Sequence, residues 1–112
     1  MKITKVNKVV MDPLPEDDDG LGYSFILVRL ADGNGGSRLV VRASQYESRS
    51  EMFDLMQRKL KPYGLEAYCI GEGEIEIYHK MKTISVRCYR VYGKQTVRIV
   101  QAAFPEWKVV NW

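Results

Sequence analysis

The alternation of apolar and polar positions divides the chain into short strands and two helices. Residues Tyr23 to Leu30, YSFILVRL, are apolar on both alternating faces: Phe25 and Leu27 on one, Ile26, Val28 and Leu30 on the other. Such a strand is central and covered on both sides. Residues 3–10 predict a short edge strand before it, and Arg38 to Arg42, RLVVR, a partner after it. Asp32-Gly33-Asn34-Gly35-Gly36 supplies the hairpin between the two.

A helix follows. Ser48 with Glu51 three residues on is a capping-box pattern, and Pro62 and Gly64 mark the end. Met52, Leu55, Met56, Lys59 and Tyr63 form one stripe, with Leu60 beside it, which predicts a core-facing side. Asp54 and Arg58 are spaced as an i,i+4 ion pair. Leu65 to Ile70 predicts a strand and Gly71-Glu72-Gly73 a bend or bulge. In EIEIY, Ile75 and Ile77 point inward and Glu74 and Glu76 outward. Thr83 to Val91 predicts a long strand, Gln95 to Phe104 a second helix closed by Pro105, and Trp107 to Val110 a last strand. The order is strand, strand, strand, helix, strand, strand, strand, helix, strand. It predicts the α+β class: a single domain over residues 1–112, with a mixed sheet and two helices.

Composition changes this picture little. The chain has 112 residues, 46% hydrophobic and 28% charged, with a formal net charge of +3. That balance suits an ordinary globular domain and permits, without requiring, phosphate or acidic partners. Cys69 and Cys88 lie in apolar stretches and are expected as buried, reduced thiols. No segment has the length of a membrane span and the lysine-broken start does not resemble a signal peptide, so the expected location is cytoplasmic. The organelle is left open.

Candidate chemistry is sparse. The acids of MDPLPEDDDG do not fall on calcium-loop positions, and no cysteine–histidine spacing suits zinc, so no metal and no cofactor are expected. The glycines fit neither the dinucleotide fingerprint nor the P-loop. Glu72, Glu74 and Glu76 alternate as a solvated face would. His79 is the one histidine and sits in a predicted turn. Arg49 stands in the first turn of the first helix, where the amide ends favour acids. Its long stem lets the charge swing into water, or Arg49 and the helix start together hold an anion. Arg90 ends the long strand, and Tyr92-Gly93-Lys94 leads into the second helix with free backbone amides.

Several stretches together resemble a known family. They are DGLGYSFILVRL (residues 19–30), the helix ending before Gly64, Tyr68-Cys69-Ile70-Gly71-Glu72-Gly73-Glu74-Ile75, the strand at Thr83 to Tyr89, Tyr92-Gly93, and Phe104-Pro105-Glu106-Trp107-Lys108-Val109. In order and spacing they are similar to the Janus/Ocnus family, whose known activity is protein phosphohistidine phosphatase. The resemblance implies a mixed sheet flanked by two helices. It also implies that the family's catalytic histidine falls at Arg49, its phosphate-binding lysine at Ser24 and a further arginine at Glu74. The phosphate-binding backbone falls at Arg90-Val91, before Tyr92-Gly93. Arginine stays protonated near neutral pH and is neither base nor nucleophile. Loss of a general base removes about 10²–10⁴ in rate.

Three functions are therefore expected in competition. The first is a catalytically inactive member that binds a phosphate, a phosphorylated protein or a protein partner through Arg49, Arg90, Tyr92, Gly93 and Lys94. The second is an active phosphatase with an altered base, His79 or Glu51. The third is an RNA-contacting subunit using Arg38, Arg42, Arg87 and Arg90 with Tyr89 and Tyr92.

Overall fold

In a computed structural model the described residues are 7–12 and 19–112, with side chains described from 22 in the second segment. Six strands form one mixed sheet in the order β1-β3-β2-β4-β5-β6. They are β1 (Lys8–Met11), β2 (Asp19–Ala31), β3 (Ser37–Ser44), β4 (Glu66–Tyr78), β5 (Thr83–Cys88) and β6 (Lys108–Asn111). The helices are α1 (Arg49–Leu60), continued by a 3-10 turn over Lys61–Tyr63, and α2 (Gly93–Ala103). The inner pairs are antiparallel, while the short edge strands β1 and β6 run parallel to β3 and β5. This is the expected α+β mixed sheet with two helices.

The two-sided pattern of YSFILVRL is the plan of the core. Phe25 and Leu27 join Tyr23, Val41, Ile75, Ile77, Ile84, Val86, Ile99 and Val100 on the face covered by α2. Ile26, Val28 and Leu30 join Val40 and Met52 on the face covered by α1. The capping box that opens α1 is present: Glu51 N–H donates to Ser48 Oγ at 3.1 Å and Ser48 N–H to Glu51 Oε1 at 3.4 Å. On α1 only Met52 is fully buried. Phe53, Met56 and Leu60 pack beside it, while Lys59 and Tyr63 are exposed, so the apolar stripe is turned from its expected line. Arg58 Nε donates to the backbone carbonyl of Asp54 rather than pairing with its carboxylate.

Other expectations are corrected. Gly71 to Gly73 does not divide two strands; β4 is continuous from Glu66 to Tyr78. Its irregularity lies at Ile70, because Cys69 and Gly71 face the adjacent residues Val28 and Leu27. β5 ends at Cys88, short of Val91, and α2 begins at Gly93, before Gln95. Cys69 is exposed and Cys88 half-buried, so neither thiol is the buried group expected; both are free. Asp19 and Gly20 belong to β2 rather than to the acidic loop. Residues 3–6 of the first expected strand and 13–18 of that loop lie outside the described residues. Asp12 serves the fold, since its Oδ2 accepts from Ser44 Oγ at 2.9 Å and from Gln45 N–H at 3.0 Å. Among the described residues no helix is long and apolar enough to cross a membrane.

Candidate functional site

The start of α1 faces the middle of β4 across the sheet. Arg49 is the first helical residue, fixed there by the Ser48 cap. Its guanidinium does not swing into water. Nη2 donates to Tyr89 Oη at 2.9 Å and to the Gly73 carbonyl at 3.3 Å, and the guanidinium carbon lies 4.9 Å from the centroid of the Tyr89 ring. Arg49 is thus a strut from α1 to β4 and to the residue that follows β5. Arg49→Ala is expected to lower the unfolding free energy by about 1–2 kcal/mol in urea titration, the size of a charge-assisted hydrogen bond with ring stacking. Arg49→Lys should restore only part, because an ammonium cannot keep the fork and the stack together. An unchanged urea midpoint for Arg49→Ala would refute the strut.

The other two positions singled out by the resemblance also come together. Ser24 on β2 is the direct cross-strand neighbour of Glu74 on β4. With Gly22, Tyr23, Ser44, Gln45 and Glu76 they line a cavity of about 270 Å³. That lining carries two carboxylates and no cation. Glu74 and Glu76 are half-buried rather than freely solvated, and the Tyr78 hydroxyl donates to Glu76. An anion finds no positive partner in this lining, and Glu74 and Glu76 give it the sign opposite to the one a phosphate pocket needs.

Tyr23, which also lines that cavity, has a signature in alkali. Its hydroxyl pKa is raised above 10.0, first by burial and then by the charges of Asp12 and Tyr46. The folded chain therefore favours the neutral phenol. Its contribution is complete below pH 10.0 and is lost as the pH rises through the raised folded value. Stability should fall more steeply above pH 10.0 in the natural chain than in Tyr23→Phe. Superimposable alkaline unfolding curves would remove this assignment.

The second concavity has the opposite sign. Cys88, Arg90, Tyr92, Gly93, Lys94, Gln95, Arg98, Asn111 and Trp112 line a cleft of about 600 Å³ at the start of α2. Three cations stand here and no Asp or Glu side chain. Tyr92 caps the helix in the left-handed region at φ 72° without a side-chain cap bond, and Thr96 N–H takes its carbonyl at 2.9 Å. The first amides of α2 therefore have no side-chain acceptor, which adds partial positive charge to the cleft. Of the expected anion set, Arg90, Tyr92, Gly93 and Lys94 are brought together and Arg49 is not among the lining residues. Arg98 is the cation the sequence reading missed. Its spacing from Lys94, one helical turn, was the available signal.

A ladder of stacked groups runs from the start of α1 to the basic cleft. Arg49 lies over Tyr89, and Arg87 lies 5.9 Å from Tyr89 and 5.1 Å from Trp112, which lines the basic cleft. The expected RNA face is not continuous. Arg38 and Arg42 lie on β3 and Arg87 on β5, with α1 packed over β2 and β4 between them. Arg42 is taken by Glu47 at 2.7 Å. His79 directly follows β4 and makes an edge-to-face contact with Trp107, centroids 5.5 Å apart. It lies six residues along the chain from Gly73, just past the strand end, roughly 20 Å at about 3.3 Å per extended residue. Glu51 is occupied by the capping box. Among the described residues no group of three or more His, Cys, Asp or Glu side chains could hold a metal ion.

The architecture defines a class: a six-stranded mixed sheet with one helix on each face, an acidic cavity lined from β2, β4 and the end of β3, and a basic cleft at the start of α2. The Janus/Ocnus family (Ocnus) model matches residues 5–108. The chain is 30% identical over 93 residues to the sex-regulated protein janus-A of Drosophila yakuba, covering 78% of this chain and 69% of that protein. It is 33% identical over 86 residues to janus-A of Drosophila pseudoobscura pseudoobscura, covering 71% and 54%. For janus-A of Drosophila melanogaster the identity is 27% over 93 residues, covering 78% and 69%. The chain belongs to the Janus/Ocnus family.

Proposed function

We propose that this chain is a non-catalytic member of its family that binds a phosphate-bearing partner at the start of α2. The observation that carries the reading is the basic cleft: Arg90, Lys94 and Arg98 around the first amides of α2, with no Asp or Glu side chain in the lining. Phosphate suits both the guanidinium fork and the amides, and a phosphorylated protein would present it.

The absence of catalysis rests on the other helix start. Where the family resemblance calls for a base, Arg49 is a protonated guanidinium already bonded to Gly73 and Tyr89. His79 lies past the far end of β4 and Glu51 is engaged as a cap, so neither is placed to take a proton there. The test is hydrolysis of a phosphohistidine peptide beside thermal unfolding with inorganic phosphate. No turnover is expected, together with a phosphate-dependent rise in the unfolding midpoint. Turnover would overturn the inactive reading. An unchanged midpoint at saturating phosphate would overturn the anion-binding one.

A further inference from the structure

β4 is only half covered by its neighbour. It pairs with β2 along its whole length, from Glu66 opposite Ala31 to Tyr78 opposite Asp19. On the other side β5 pairs with it only from Gly73 to Tyr78, and one more bond follows, from Tyr89 N–H to the Glu72 carbonyl at 3.0 Å. Over residues 66–71 no strand among the described residues takes that side. The alternation of the ladder tells which groups are free. Beyond the irregularity, from Glu72 onward, even residues turn their backbone groups toward β5. The extra residue Ile70 shifts that alternation by one. Ala67 and Cys69 therefore turn theirs to the open side, while Glu66 and Tyr68 bond β2. Glu66 and Cys69 are exposed and Tyr68 is 42% exposed.

We propose that this open half of β4 pairs with the same segment of a second copy of the chain, antiparallel, about a two-fold axis at Tyr68. An open strand edge selects an extended strand, because only that satisfies its row of donors and acceptors. The register follows from the free groups. With Tyr68 opposite Tyr68 of the partner subunit, Ala67 faces the partner's Cys69 and Cys69 faces the partner's Ala67. Both of these are hydrogen-bonded pairs. The lengths also match. Gly64 at φ 71° and the buried Leu65 turn the chain away just before Glu66. The arriving strand therefore ends opposite Ile70, before it would meet Tyr89 at Glu72. A two-residue shift of the register in that direction would put Glu66 where Tyr89 already bonds.

Charge supports the same occupant. One end of the open edge is a notch lined by Cys69, Ile70, Gly71, Glu72, Tyr89 and Arg90, closed off by Val91. The other end carries Lys61 and Glu66, which line a second hollow. The two-fold axis places unlike ends together: the partner's Glu66 near Arg90, and the partner's Lys61 near Glu72. The two Tyr68 residues meet in a non-hydrogen-bonded pair, the closer of the two antiparallel pair types. So short an edge gives a weak, concentration-dependent dimer.

The test is sedimentation equilibrium of the full chain over a wide concentration range. The expected result is a monomer–dimer equilibrium. Cys69→Pro removes an outward N–H and the long thiol contact to the Gly71 carbonyl at 3.5 Å, so it should leave thermal unfolding nearly unchanged and abolish the dimer. Tyr68→Lys sets like charges opposite each other and should weaken the dimer at least about fivefold. In a Cys69→Ser background, Tyr68→Cys should form an intermolecular disulfide on mild oxidation and Glu66→Cys should not. A monomer at every concentration overturns the proposal. So does a dimer that both Cys69→Pro and Tyr68→Lys leave intact, or a disulfide that forms equally at either cysteine position.

Discussion

Gly73→Ala is expected to destabilise the fold by about 3 kcal/mol or more, read as a large drop in the urea midpoint. The reason is space, not backbone angle, since Gly73 is not among the residues with positive φ. A Cβ placed there would lie 1.9 Å from the Arg87 carbonyl oxygen and 2.8 Å from Phe25 Cε1. Neither neighbour can yield cheaply. Arg87 O belongs to the β4–β5 ladder, and Phe25 is fully buried in the larger core. Any shift must open β4 from β5 or displace Phe25, and interiors at native density resist both. The Gly73 carbonyl is also an acceptor for Arg49, so the displacement would reach the start of α1. Gly22→Ala is the control, because nothing lies within 4 Å of its added carbon. A Gly73→Ala chain as stable as the Gly22→Ala chain would mean that β4 and β5 are farther apart than described.

The core was legible because its signal is local and redundant. YSFILVRL states in eight letters that both sheet faces are covered, and EIEIY states which of its residues go inward. The α1 cap was legible for the same reason: Ser48 and Glu51 satisfy each other within one turn. What failed depended on partners distant in sequence. Gly73 reads as a bend in isolation, whereas its cause is Arg87 O and Phe25 pressing on it from two other strands. Lys59 and Tyr63 share a stripe with Met52, yet α1 leans on β2 and β4 so that Phe53 and Leu60 take the inner places. Thr96 is fully buried on α2 although it is polar, because its hydroxyl donates to the Tyr92 carbonyl at 2.8 Å.

The site was half legible. Arg90, Tyr92, Gly93 and Lys94 are neighbours in sequence, so their meeting needed only a strand-to-helix turn. Arg49 was grouped with them by charge alone, and the fold spends its guanidinium on Tyr89 and Gly73 instead. The juxtaposition of Ser24 with Glu74 depends on strand register, which no local pattern states. That register is what turns the α1-side cavity acidic and leaves the α2 cleft as the basic concavity of the two.

Replacing Arg90 and Lys94 together with alanine should therefore weaken inorganic phosphate binding by about thirtyfold, measured by titration calorimetry at low salt. Each cation is exposed, so about 1 kcal/mol apiece is the fitting size after solvent screening. The loss should shrink as salt rises, because screening removes what the cations supply. The helix amides remain, so some binding should survive. Net charge alone would predict the same loss wherever two cations are removed. Arg58→Ala with Lys61→Ala makes that comparison: both residues are exposed, and neither lines the cleft. This second pair should cost clearly less than the cleft pair at low salt, and less than about twofold at about 0.15 M salt, where the Debye length falls to about 8 Å. Equal losses in the two double variants would mean that phosphate responds to the overall +3 charge, and the cleft at α2 would lose its standing as a site. An undiminished affinity without Arg90 and Lys94 would do the same. A loss confined to that pair would locate the anion at the start of α2, where the guanidinium, the ammonium and the first amides converge.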